Sequence, residues 1–169
     1  MFQSNVRKGV GSVRFRLATE RDLPAIVGML VDDSLGAQRE HLSDPVLPCY
    51  LEAFNAIAKD PNNELVVAEN RDGEAIATLQ LTFTPGLSHQ GRWRATIESV
   101  RVASPLRGSG IGRQLLAWAI ARAKQRQCPI VQLTTDKQRL DTKRFYESMG
   151  FSATHEGMKL KLHSDRESI

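Results

Sequence analysis

A chain of 169 residues, 41% of them apolar, is long enough to bury one sizeable core and is close to the usual size of a single domain. Its 23 Lys plus Arg against 19 Asp plus Glu leave a net charge of +4, and the basic residues are scattered instead of forming the stripe that nucleic-acid binding asks for. No run approaches the roughly 18 to 20 apolar residues of a membrane span, and the N-terminus lacks the apolar core of a secretory signal.

The two cysteines, Cys49 and Cys128, form no C-x-x-C pair. They fit a reducing, cytoplasmic setting and read as small core residues. Residues 1–12 are polar and glycine-containing and read as a flexible leader, residues 13–163 as one domain, and 164–169 as a polar tail.

The first element, VRFRLA (13–18), alternates like a half-buried strand. In the following TERDLPAIVGMLVDD (19–33), Thr19 is placed as a helix N-cap with Asp22 in the capping-box position, and Leu23, Ile26, Val27 and Leu30 form the helical stripe. Residues 37–48 are polar and punctuated by prolines, a loop before a second helix, CYLEAFNAIAK, which Asp60-Pro61 stops. ELVVAEN and AIATLQLTF, joined by a turn centred on Asp72-Gly73, read as a hairpin.

A loop at 84–91 leads into a third extended run, RWRATIESVRV. After a glycine loop, Ile111, Leu115, Leu116, Ala119, Ile120 and Ala123 keep helical spacing. CPIVQLTTD then predicts a further buried strand, LDTKRFYESMG a short helix ended by Gly150, and FSATHEGMKLKL a final hairpin around Glu156-Gly157. The order is mixed α+β, with no internal repeat. An exposed final strand leaves pairing with a second copy, a homodimer, open.

SPLRGSGIGRQLL (104–116) puts Gly108, Gly110 and Gly112 at alternate positions between a strand and a helix. Such a junction aims backbone N–H groups at the positive end of a helix dipole, and without Cβ atoms the backbone approaches an anion closely. Arg107 and Arg113 flank it with charge-assisted donors. A P-loop would need Gly-Lys-Ser/Thr, but Gly112 is followed by Arg113-Gln114. A dinucleotide fingerprint would place its third glycine at 113, although Asp136 follows the next strand roughly where a ribose-binding carboxylate lies. A plain turn is the remaining alternative.

VRVASPLRGSGIGRQLL resembles the acyl-coenzyme A binding segment of the GNAT family of N-acetyltransferases, whose core Arg/Gln-x-x-Gly-x-Gly/Ala is matched by Arg107, Gly110 and Gly112. ATIESVRV before it and RFYESMGF after it resemble the family's corresponding segments in the right order. The resemblance implies a GNAT-type acyl-CoA N-acyltransferase fold, α+β, with a central mixed, mainly antiparallel sheet flanked by helices. It also implies acetyl-coenzyme A as co-substrate. Pantetheine would lie against the backbone of Val100 and Val102, and the pyrophosphate on Arg107, Gly108, Ser109, Gly110, Ile111, Gly112 and Arg113. Backbone N–H near Val100 would face the thioester oxygen. Positions where members often carry Asn and Ala hold Arg139 and Thr142 here. TTDKQRLDTKRFY is weakly similar to the subgroup with the aminoalkylphosphonate acetyltransferases, which suggests a small amine substrate.

Acetyl transfer to an amine needs a neutral amine, stabilisation of an oxyanion and a proton for the thiolate. An aliphatic amine with a pKa near 10.4 is neutral in only about one molecule in a thousand at pH 7.4, so a proton acceptor is required. Glu98 is the candidate base, the competing reading being a surface carboxylate paired with Arg94 or Arg101. Tyr146 is the candidate acid, the competing reading being an amphipathic aromatic beside Phe145. His89 belongs either to the acceptor side or to a solvated loop, and with no ligand spacing among the histidines no metal is expected.

The expected activity is acetylation of a primary amine, on a small molecule or a peptide, by direct attack in a ternary complex. A coenzyme A binding regulatory module without turnover and a nucleic-acid-binding domain are the alternatives from other classes.

Overall fold

The computed structural model describes residues 13–33, 36–160 and 162. The expected leader at 1–12 and tail at 164–169 therefore lie outside the described residues. The chain divides into two compact units, Met1–Leu133 and Thr134–Ile169.

The first unit is built on a five-stranded sheet in the order β1-β2-β3-β4-β5. Its strands are β1 (Arg14–Leu17), β2 (Asn63–Glu69), β3 (Ala75–Pro85), β4 (Trp93–Val102) and β5 (Ile130–Leu133). The first four pair antiparallel, and β5 joins β4 parallel, so the sheet is mixed and mainly antiparallel. A parallel neighbour needs a long crossover. Helix α4 (Ile111–Gln125) provides it, after the helices α1 (Leu23–Val31) and α2 (Pro48–Lys59) and a four-residue turn α3 (Ser88–Gly91).

Strand alternation sorts the sheet into two faces. Leu79, Leu81 and Phe83 of β3 and Ala95 and Ile97 of β4 are buried, as are Ile111, Leu115, Leu116, Ala119 and Ala123 of α4, which packs on β3 and β4. Each of these leucines, isoleucines and the phenylalanine contributes about 1.5–3 kcal/mol on full burial, an alanine less. On the opposite face Ile26 and Met29 of α1 pack with Val67 and the partly buried Leu65.

The capping box expected from Thr19 and Asp22 forms, but it caps the short 3-10 turn Glu20–Asp22 that leads into α1: the Asp22 carboxylate accepts from the Thr19 amide at 2.7 Å and its hydroxyl at 3.0 Å. Arg16 adds two bonds to the same carboxylate, at 2.6 and 2.9 Å, and a third to Glu69.

Three expectations are corrected. The run around Ile130 is expected as a buried strand, but among the described residues β5 has a strand neighbour only in β4 and leaves Ile130 44% exposed, as an edge strand does. Cys128 is buried, whereas Cys49 is exposed, because it starts a helix that buries none of its residues. No strand forms among the described residues 151–160 and 162, so the final hairpin is not formed there, and Met158, Leu160 and Leu162 are 81–95% exposed. Alternation marks one side of that segment as apolar but supplies no ladder partner.

In the second unit, α5 (Leu140–Ser148) ends at Met149 and Gly150, the latter left-handed at φ 92. That glycine is the helix stop expected of it. No helix among the described residues is long and apolar enough to cross a membrane.

Candidate active site

The candidate site begins where β4 departs from regular pairing. Its register runs from Gln80 opposite Glu98 to Thr78 opposite Arg101, so β4 carries one residue more than β3 over this step. This is a β-bulge, and Ser99 stands in it at φ 52, a conformation that is uncommon for a side-chain-bearing residue. On its other edge β4 pairs with β5 only through residues 94–97, because β5 ends at Leu133. Residues 98–102 thus have no strand beside them on that edge among the described residues, and the bulge and the unpaired edge coincide at residues 98–100.

Four backbone bonds shape the glycine loop. Arg107 N donates to Ser104 O at 3.2 Å, Leu106 N to Ala103 O at 2.9 Å, Ser109 N to Leu106 O at 3.3 Å and Gln114 N to Gly110 O at 3.2 Å. Gly108 and Gly110 are left-handed at φ 76 and 93, and Gly110 is the N-cap of α4. A Cβ at either glycine would meet nothing within 4 Å, so open space faces the loop at both. Gly112, in contrast, is the second residue of α4. The first amides of a helix have no intrahelical acceptor, which leaves those of Ile111, Gly112 and Arg113 directed along the axis toward the loop. Left-handed glycines, open space and a helix N-terminus together fit the phosphate groups of a coenzyme A thioester.

Two acidic residues, Asp32 and Asp33, tie this region to the end of α1 by pairing with arginines. Asp32 holds Arg107, whose Nη2 donates to the aspartate carbonyl at 2.9 Å and to Oδ2 at 2.8 Å, while Nε donates to Val102 O at 3.2 Å. Asp33 lies 3.5 Å from Arg101, whose Nη1 also donates to Val100 O at 2.8 Å. The backbone carbonyls of Val100 and Val102 are thereby both engaged by arginines.

Glu98 is exposed, and its carboxylate makes neither an ion pair nor a hydrogen bond among the described residues. The surface pairing considered for it is absent there: Arg101 is engaged with Asp33, and Arg94 also has no partner among the described residues. His89 is exposed in the α3 turn and left-handed at φ 53. The hydroxyl of Tyr50, in the first turn of α2, braces the loop before that helix: it donates to Glu40 Oε2 at 3.1 Å and accepts from the His41 amide at 3.0 Å, a contact for which the sequence offers no signal. Burial is the main influence raising the Tyr50 phenol above its ordinary pKa.

Within the second unit, Tyr146 is half-buried. Its ring centroid lies 5.5 Å from Phe145, tilted by 50°, and 6.0 Å from Phe151, edge-on at 69°. Its carbonyl accepts from the amides of Met149 and Phe151 at 2.9 and 3.2 Å.

A mixed sheet bulged at its fourth strand, splayed from the fifth and followed by a left-handed glycine loop at a helix N-terminus defines an acyl-coenzyme A dependent N-acyltransferase. The model of the acetyltransferase (GNAT) family matches residues 29–151, and the chain belongs to that family. It is 35% identical over 106 residues to an aminoalkylphosphonate N-acetyltransferase of Salmonella typhimurium, covering 63% of this chain and 68% of that one.

Among solved structures it is similar to one described as a transcriptional regulator from Bacillus halodurans C-125, with 56% identity and a TM-score of 0.86 over 89% of this chain and 100% of that one. A putative acetyltransferase from Agrobacterium tumefaciens follows at 28% identity and a TM-score of 0.78, over 88% and 99%. The protein is thus an N-acetyltransferase with acetyl-coenzyme A as co-substrate.

Proposed function

We propose that the chain acetylates a primary amine of a small molecule or peptide, by direct attack of the amine within a ternary complex. The observation that carries this reading is the coincidence, on one strand edge, of the β4 bulge with, among the described residues, the absence of a neighbouring strand and of a partner for the Glu98 carboxylate. The relative named as an aminoalkylphosphonate N-acetyltransferase supports a small amine. Direct attack is supported by the placing of the two cysteines, one starting α2 and the other just before β5, with neither on β4 nor in the glycine loop.

Acetyl-coenzyme A supplies the activated acetyl thioester. Its phosphates are held by residues 107–113, through backbone amides and the arginines at either end, and its pantetheine by the backbone of Val100 and Val102. Glu98 takes a proton from the incoming ammonium, directly or through a water, and Tyr146 gives one to the departing thiolate.

Release of free coenzyme A, followed with a thiol reagent over a panel of amines, tests this reading. Glu98→Gln is expected to retain cofactor affinity, lower kcat by ~10²-fold to 10⁴-fold, and move the remaining activity to higher pH, where the amine deprotonates unaided. An unaltered pH profile would remove Glu98 from the base role. The name of the 56% identical structure raises a second reading, a regulator that binds the cofactor without turnover. Acetyl-coenzyme A binding with no thiol release from any amine would favour it.

A further inference from the structure

Resting on that acetyl-transfer reading, we propose that the acceptor is a short amine carrying an anionic group, bound on the sheet face that bears Glu98 with its anion on Arg94. Arg94, Thr96 and Glu98 share this face by alternation, since Ala95 and Ile97 between them are buried on the other. The register extends the face sideways. Thr96 stands opposite Thr82 and Thr82 opposite Asn63, Glu98 opposite Gln80, and Gln132 of β5 beside Thr96.

A sheet face turned toward helices is normally apolar, and this one is so at Val67 and Leu65, where α1 covers it. Beyond them it becomes wholly polar. Gln80 Nε2 and Thr82 Oγ1 donate to Asn63 Oδ1 at 3.1 and 2.8 Å, and Gln132 Nε2 donates to Thr96 Oγ1 at 3.1 Å. None of these five side chains is fully buried, so the row is reachable by a ligand. Because the Thr96 hydroxyl accepts from Gln132, its own proton is directed to another acceptor, midway between Arg94 and Glu98.

Charge sets the polarity of the ligand. The other arginine of β4 beyond the bulge and the first arginine of the glycine loop are each held by a carboxylate, Arg101 by Asp33 and Arg107 by Asp32. Arg94 and Glu98 have no such partner among the described residues. Four residues of strand separate their Cα atoms by about 13 Å, a span that two long side chains shorten to the length of a small zwitterion. An ammonium at Glu98 with a phosphonate or carboxylate at Arg94 satisfies both charges, since a guanidinium forks onto either oxyanion. A diamine would set its second ammonium against Arg94.

Four acceptors of similar length test this in the thiol-release assay: 2-aminoethylphosphonate, 3-aminopropanoate, n-propylamine and 1,4-diaminobutane. The two anionic amines are expected to exceed the others in kcat/KM by at least ~10-fold, the better of the two identifying phosphonate or carboxylate as the anion. In Arg94→Gln the KM ratio of anionic to neutral acceptor should rise at least ~10-fold, and Arg94→Lys should restore part of it. A preference for the neutral amine or the diamine, or an unmoved KM ratio in Arg94→Gln, would overturn the proposal. Absence of thiol release with every amine would instead defeat the acetyl-transfer reading and this inference with it.

Discussion

Arg107 and Asp32 join the glycine loop to the end of α1: the arginine Nη2 donates both to the aspartate carbonyl, at 2.9 Å, and to its carboxylate, at 2.8 Å. Both side chains are about half exposed, at 49% and 47%, so the pair contributes at most ~1 kcal/mol to folding. Its importance is local. A carboxylate is kept next to an arginine of the glycine loop proposed to bind phosphate, where an anionic ligand would meet it as a like charge.

Asp32→Asn is therefore expected to tighten acetyl-coenzyme A binding slightly. The backbone carbonyl still accepts from Arg107, while a negative charge beside the proposed phosphate site is removed, worth no more than about 1 kcal/mol at an exposed position, or a few-fold in affinity. Calorimetry should find the gain at low ionic strength and lose most of it near ~1 M salt. Weaker binding by the variant would show instead that the carboxylate aligns Arg107 for its ligand.

Asp22 makes a second charged cluster, with Arg16 and Glu69, into a determinant of acid stability. Burial alone would push its carboxyl up, but hydrogen bonds from Arg16 and from the Thr19 amide and hydroxyl outweigh it and hold the pKa below the ordinary value. The unfolded chain then takes up the proton more readily, so the stabilisation is complete above the unfolded value near 3.9 and is lost as pH falls through the lower folded one. Asp22→Asn should cost about 1–3 kcal/mol at neutral pH. Urea unfolding at a series of pH values should find the gap from the parent protein closing below about pH 4, and a constant gap down to pH 2 would contradict this account.

Different physical signals explain why parts of this molecule were legible in the chain and others were not. β2, β3 and β4 were readable because a face against α4 demands alternation, and the glycine loop because Gly108 and Gly110 occupy φ values of 76 and 93 that other residues resist. Arg107 and Asp32 meet across 75 residues, and such a pair imposes no spacing on the sequence. The polar row Asn63, Gln80 and Thr82 emerges only from strand register, as does the bulge that leaves Ser99 left-handed. β5 was misread as buried because PIVQL is an apolar run, and an apolar run does not say how many neighbours its strand has.

Tyr146 offers the cleanest separation of chemistry from packing. Its ring is held between Phe145 and Phe151, and its carbonyl takes two backbone bonds that end α5, so the main chain and the aromatic contacts are independent of the hydroxyl. Tyr146→Phe should accordingly keep the melting temperature within a few degrees and change acetyl-coenzyme A affinity by no more than about one hydrogen bond, ~1 kcal/mol. Turnover should fall ~10²-fold or more, because the thiolate must then leave without a positioned proton donor. The comparison needs kcat, cofactor affinity and melting temperature for both proteins on one accepted amine, with the chemical step limiting. Turnover retained within about twofold would make Tyr146 a packing residue and pass the proton to water or to the substrate ammonium. A solvent isotope effect on kcat distinguishes the two cases further: with a phenol in place, transfer to sulfur is part of the limiting step, and the effect should diminish when only slow, unassisted departure of the thiolate remains.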